Sequence, residues 1–186
     1  MSSPRVMMKL LLLGSLAVGK TSLIIRFVQK KFPQSVKPTV GADFLVKEFN
    51  IEESDGSQAT VICQIWDLAG YRHGLTKGIA QRYYKGADGA FFCYDLTRIA
   101  TFEDIRTSWK PDLEEVVPYS KIVPVLIGNK NDLIEEREVE ENQGKSLAKE
   151  IGAVDFFETS AKTGYGVEKA FQNMASNVWK MKMELS

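Results

Sequence analysis

KLLLLGSLAVGKTSLIIRFVQKKF, Lys9 to Phe32, decides how the chain is read. Its opening, KLLLLG, is a short apolar run closed by glycine, the form of a strand buried on both faces of a parallel sheet. Leu23, Phe27 and Val28 then recur at helical spacing and predict a helix over Thr21 to Phe32. Between the two, GSLAVGKT (Gly14 to Thr21) matches G-x-x-x-x-G-K-[ST] in the strand–loop–helix context that pattern requires. Backbone N–H groups of Ala17, Val18, Gly19, Lys20 and Thr21 are placed to face phosphate oxygens, helped by the helix N-terminus. Gly19 permits close approach of the chain, Lys20 brings a cation to the β and γ phosphates, and the Thr21 hydroxyl can ligate Mg²⁺. A plain glycine turn is the alternative, and the strand and helix flanks count against it.

The 186 residues suit one domain with one sizeable core. Lys+Arg and Asp+Glu both number 24, so bulk charge argues neither for nucleic acid nor for an anionic membrane. Cys63 and Cys93 sit inside apolar runs and read as reduced core residues of an intracellular protein, with a disulfide as the alternative. Arg5 and Lys9 precede an apolar stretch, Leu10 to Val18, of signal-peptide length, but a buried strand running into the phosphate-binding loop explains it better. No run approaches the ~18 apolar residues of a membrane span.

Strand-like and helix-like segments alternate along the chain. FLVKEFNI and ATVICQIW flank the turn cluster Ser54-Asp55-Gly56-Ser57 and predict a hairpin. GAFFCYDLT, IVPVLIGN and VDFFETS are further buried runs, with helices expected over Phe102 to Val117 and Val139 to Ile151. Val167, Ala170, Phe171, Met174, Ala175 and Val178 follow helical spacing most clearly. The pattern is α/β, with helices on both faces of a sheet, and ligands are expected beyond the C-terminal strand ends.

Two more loops fall at such ends. NKND (Asn129 to Asp132) follows an apolar strand, and the Asp132 carboxylate can accept hydrogen bonds from both N1–H and the exocyclic amine of guanine. Adenine presents an acceptor at N1 and no such amine, and a site built around polar pairing can reject the wrong ligand by ~10⁴ or more. Asn129 is expected to brace the loops and the Lys130 stem to lie along the base. ETSAK (Glu158 to Lys162) offers the Ala161 and Lys162 N–H groups to guanine O6.

On these motifs the chain resembles the Ras superfamily of small GTPases, the Rab branch most closely, from Lys9 to about Trp179. GSLAVGKT matches the phosphate loop, Thr39 in KPTVGADF the first switch, WDLAG the second, and NKND and ETSAK the guanine loops. The resemblance implies a P-loop NTPase of the Ras-like G-domain type, with a six-stranded, mostly parallel sheet, one antiparallel edge strand and five helices. Residues 9–180 would be that domain, 1–8 an N-terminal extension and 181–186 the end of a tail. It implies GTP and GDP as ligands, contacted from Leu16 through Ser22 and by Phe32, Thr39, Gly70, Asn129, Lys130, Asp132, Ser160, Ala161 and Lys162. Mg²⁺ would be held by Thr21, by Thr39 in the GTP state and, through a water, by Asp67. Lys20, Thr39 and Gly70 would serve hydrolysis, and Phe32 would stack on the base. Phe44, Trp66 and Tyr83 match an exposed triad through which Rab proteins meet effectors; in Trp66 the strand alternation supports exposure, because Val61, Cys63 and Ile65 share the opposite face.

The chain departs from that family in two places. Tyr71 and Arg72 stand where most relatives carry a Gln-Glu pair, and a phenol lacks the amide's combined donor and acceptor for orienting water. Leu16 replaces a small residue in the phosphate loop and would crowd both that water and an entering arginine. Arg72 is the candidate for acting in cis on the γ phosphate, and His73 for positioning water; a solvated arginine and a bystander histidine are the simpler readings. The expectation is a slowly hydrolysing switch, with a non-hydrolysing GTP-bound scaffold as the alternative. Effector, exchange-factor and activating proteins are the expected partners of a cytoplasmic monomer. KMKMELS carries no cysteine to prenylate, so membrane contact is expected only through partners or a missing tail.

Overall fold

Apolar runs bounded by glycine and polar residues become the strands of one sheet. The computed structural model describes residues 5–52, 56, 58–70 and 82–185. Strands β1 (Arg5–Leu13), β2 (Ala42–Glu52), β3 (Gln58–Leu68), β4 (Gly89–Asp95), β5 (Val123–Asn129) and β6 (Asp155–Thr159) lie in the order β2-β3-β1-β4-β5-β6. β2 pairs antiparallel with β3 at one edge, from Ala42↔Leu68 to Glu52↔Gln58, and every other pairing is parallel. All seven residues of β4 and all seven of β5 are buried, as continuous apolar strands in a parallel sheet should be. β1 begins at Arg5, ahead of the Lys9 that the apolar pattern marks, because Arg5 to Met8 continue the ladder against Thr60 to Cys63.

Helices cover both faces. α1 (Lys20–Gln29) and α4 (Val167–Glu184) pack on one side with Met8, Leu10, Leu12, Phe91 and Cys93. α2 (residues 99–114) and α3 (Glu141–Glu150) pack on the other with Leu11, Leu13, Phe92 and Tyr94. Every α4 residue marked by the apolar spacing is buried, and Phe171 stacks on Phe27 of α1 with centroids 4.1 Å apart. Besides these four helices, residues 82–84 are helical, so the described residues carry helical segments at five places along the chain, in line with the five helices that the resemblance implies.

Several helix boundaries differ from the sequence reading for local reasons. α1 stops at Gln29 because Lys30 adopts the left-handed conformation (φ 59°) and caps the Arg26 carbonyl, so Phe32 lies in a loop and not on the helix. α2 starts at Ile99, ahead of Phe102, and has three parts: α-helical Ile99–Asp104, a π turn at Ile105–Trp109 and α-helical Lys110–Glu114. Pro111 accounts for the π turn: it lacks an N–H and its ring crowds the carbonyl four residues back, so the helix widens and Lys110 N–H reaches Ile105. α3 begins at Glu141 behind a capping box formed by Glu140 and Gln143.

Candidate functional site: a cavity at the strand ends

The C-terminal ends of β1, β3, β5 and β6 converge on one cavity of about 530 Å³. The phosphate-binding loop between β1 and α1 forms its floor. Gly14, Ala17 and Gly19 all have positive φ (151°, 61° and 100°), which lets the intervening peptides turn their N–H groups inward. A Cβ on Gly19 would come within 2.3 Å of Asn129 Nδ2, so glycine is required for packing as well as for backbone conformation. Lys20 is buried; its Nζ donates to the Gly14 carbonyl at 2.7 Å and the Ser15 carbonyl at 3.2 Å, and burial lowers its pKa below the usual lysine value. Ser15 is tied to α2, donating to Asp104 at 2.5 Å and accepting from Trp109 Nε1 at 3.2 Å.

Beside Lys20 three oxygen groups meet. Thr21 and Thr39 hydroxyls donate to Asp67 Oδ2 at 2.5 and 3.0 Å and lie 3.2 Å from one another. Asp67 is buried and its other oxygen, Oδ1, has no hydrogen-bond partner. Burial raises its pKa, against the hydrogen bond from Thr21 and the charge of Lys20. One carboxylate and two hydroxyls are hard oxygen donors, and the unpartnered buried oxygen leaves capacity for a cation, so the set fits Mg²⁺. Among the described residues no group of three His, Cys, Asp or Glu side chains offers a competing metal site.

At the far end Asn129, 1% exposed, knits the loops together. Its Nδ2 donates to the Val18 carbonyl at 2.9 Å, while its Oδ1 accepts from Thr159 Oγ1 at 3.1 Å and Ala161 N–H at 3.3 Å. The bracing role expected of this residue is what the geometry shows. Asp132 accepts from Ser160 Oγ at 2.5 Å, which orients the carboxylate. Lys130, at φ 72°, lines the cavity with its ammonium 2.6 Å from Asp95 Oδ2.

Leu16, Ala17, Gly19, Lys20, Thr21 and Ser22 of the predicted contacts line the cavity. Phe32, Thr39, Gly70, Asn129, Asp132, Ala161 and Lys162 line it too. Val18 turns its side chain into the core, and Ser160 acts behind Asp132. Gly70 lies so close to the phosphate loop that an added Cβ would sit 2.6 Å from the Leu16 nitrogen. Tyr71, Arg72 and His73 lie outside the described residues. Phe44, Trp66 and Tyr83 do form one patch: Phe44 stacks on Trp66 (4.9 Å), Tyr83 lies 5.8 Å beyond, and Lys9 Nζ sits 4.7 Å over the indole. Phe44 is 45% exposed, whereas Trp66 and Tyr83 are half-buried and pack against the core, so the expected triad is exposed only in part.

Sequence reasoning missed Arg26, Asp95 and Arg98. Arg26 donates to the carbonyls of Ala161 (2.7 Å) and Lys162 (2.5 Å), steadying the peptides of the last loop. Its place in α1 carries no signal of that, since the partners are over 130 residues away. Asp95 did carry one, as a charged residue ending an apolar run beside the other loops.

Comparison with known proteins agrees with this geometry. A sequence model described as the Ras family matches residues 9–180. Ras-related protein Rab-7a of Dictyostelium discoideum is 39% identical over 180 residues, covering 95% of this chain and 85% of the relative. GTP-binding protein ypt2 of Schizosaccharomyces pombe is 38% identical (96% and 84% covered), and Ypt/Rab-type GTPase YPT7 of Saccharomyces cerevisiae 37% (94% and 82%). A phosphate loop, a hard-oxygen cluster and a braced pair of base loops at the ends of this sheet, with relatives of this kind along nearly the whole chain, place it: the chain belongs to the Ras family of small GTPases and is Rab-like within it.

Proposed function

We propose that this protein is a GTP/GDP switch with slow intrinsic hydrolysis, whose GTP-bound surface is read by partner proteins. The observation that carries the nucleotide reading is Asn129, whose single buried side chain ties the phosphate loop to both base loops and so holds them around one cavity. Asp132 and the Lys162 N–H would recognise guanine, while the Ala161 N–H, expected to face guanine O6, already donates to Asn129 Oδ1; Lys20 with the N–H groups of Leu16 to Ser22 would hold the phosphates. Thr21, Thr39 and Asp67 would hold Mg²⁺. Bound there, the ion would supply charge neutralisation at the phosphates. Thr39 and Gly70 both line the cavity, so a terminal phosphate would order the segments that carry them and its loss would release them.

The slow-hydrolysis reading rests on chemistry at two positions. Phosphoryl transfer is mostly positioning and charge stabilisation, and intrinsic turnover in Ras, a relative, is already only ~10⁻⁴ s⁻¹. Tyr71 offers no amide to orient water, and Leu16 lines the cavity where Gly70 abuts the loop, which narrows entry for a partner's arginine. Single-turnover hydrolysis of bound GTP tests this: a rate below that of Ras, little accelerated by an arginine-finger activator, is expected. A rate at or above it would refute slow turnover. The alternative, a GTP-bound scaffold, is favoured by the same crowding at Leu16; recovery of mostly GTP from purified protein would support it, and mostly GDP the switch. Partners would read Phe44, Trp66 and Tyr83, a stacked aromatic patch of the kind that anchors interfaces, in the trafficking roles of the Rab branch.

A further inference from the structure

Asp95 closes β4 between the phosphate loop and the base loop, and its side chain is fully buried. Both oxygens are engaged. Oδ1 accepts the Thr97 N–H at 2.9 Å and the Thr97 hydroxyl at 2.7 Å. Oδ2 receives Lys130 Nζ at 2.6 Å and Arg98 Nε at 3.0 Å. A carboxylate taken out of water is costly unless it is paired and its lone pairs are filled, and removing a partner leaves an uncompensated charge. Here the two cations come from different places. Lys130 belongs to the base loop and lines the cavity. Arg98 reaches the other way, donating from Nη2 to the Leu16 carbonyl at 2.7 Å.

One carboxylate therefore has an arm to each end of the cavity, although neither Asp95 nor Arg98 lines it. Both arms end on residues in unusual backbone settings. Lys130 itself has φ 72°, and Leu16 precedes Ala17 at φ 61°. Left-handed conformations at residues with a Cβ persist only where the surroundings over-determine them, at a cost of about 1–3 kcal/mol each. Asp95 supplies a restraint on both.

We propose that Asp95 is a positioning residue that joins the base loop to the phosphate loop through Lys130 and Arg98, and so sets how long the nucleotide stays bound. The proposal rests on the nucleotide reading above. It separates Asp95 from a residue that only caps the Thr97 turn, because a cap would act without the two cations.

The test is the release rate of N-methylanthraniloyl-GDP chased with excess GDP in the presence of Mg²⁺. Asp95→Asn is expected to accelerate release by about 10- to 100-fold, the range for losing a charge-assisted buried bond. Arg98→Ala and Lys130→Ala should each accelerate it less, and once both cations are removed Asp95→Asn should give no further acceleration, because it then neutralises an uncompensated buried charge. Release within twofold of the unsubstituted rate in Asp95→Asn, or a full additional effect in the background lacking both cations, would overturn the link. Should Asp95→Asn fail to fold, Arg98→Ala, whose side chain is 42% exposed, carries the test alone: faster release supports the phosphate-loop arm and unchanged release overturns it. Failure of the unsubstituted protein to bind the labelled GDP would instead remove the nucleotide reading itself.

Discussion

Single side chains at this site do two kinds of work, and substitutions should separate them. Asp132 is partly exposed and accepts the Ser160 hydroxyl, which leaves lone pairs of its carboxylate to recognise a ligand. Asp132→Ala should weaken GDP binding by about 10- to 100-fold, since hydrogen bonds to a charged group are worth ~1.5–3 kcal/mol, while leaving the urea midpoint of the nucleotide-free protein nearly unchanged. Asn129 is the opposite case. Asn129→Ala strands the Val18 carbonyl, the Thr159 hydroxyl and the Ala161 N–H in a buried setting. Urea denaturation should show a loss of about 2–4 kcal/mol, and an unchanged midpoint would mean that the loops are held together by something else. Both residues were legible in the sequence because NKND sits at a strand end. Arg98 and Arg26 were not assigned, because their roles are pairings between segments far apart in sequence, which no local pattern encodes; Asp95 showed as a charge at a strand end, but its partners did not.

At the scale of elements, the joint between α1 and α4 is where packing holds the phosphate loop in place. Phe171 stacks on Phe27 and lies 4.7 Å from Phe91 of β4, so one ring of α4 touches both α1 and the sheet. Phe171→Ala should cost about 3–5 kcal/mol, read from thermal or urea unfolding, and should increase the sensitivity of nucleotide binding to temperature. The α4 stripe was readable because six apolar residues at helical spacing have few other solutions, and all six are buried. The hairpin was readable from its turn cluster and its alternation, although residues 53–55 and 57 lie outside the described set. The π turn in α2 was not read from the sequence: Pro111 was visible, but whether proline ends a helix or widens it depends on the packing of Ile105 and Trp109 beneath it. The early end of α1 depends likewise on Lys30 adopting a left-handed cap, a conformation that lysine does not advertise.

Across the whole molecule, burial sets the response to pH. Cys63 and Cys93 are free thiols buried in the core, and burial pushes both up to about 12 from an ordinary value near 9.0. The folded state therefore holds its thiol protons where the unfolded chain would release them. Their contribution to stability is complete below pH 9 and is lost as pH rises from 9 towards 12. Urea midpoints measured through that window should fall, and iodoacetamide at pH 8 should label neither cysteine until the protein unfolds; prompt labelling of the native protein would contradict their burial. The architecture itself was readable in outline, because an apolar strand, a glycine loop and a helix in that order leave few folds to choose from. The central claim is that loops from four strand ends form one pocket matched to a guanine ring and magnesium-bound phosphates. Calorimetric titration of nucleotide-free protein with GDP and with ADP, each with Mg²⁺, tests it most directly. GDP should bind at least ~10³-fold more tightly, and equal or tighter binding of ADP would contradict the account.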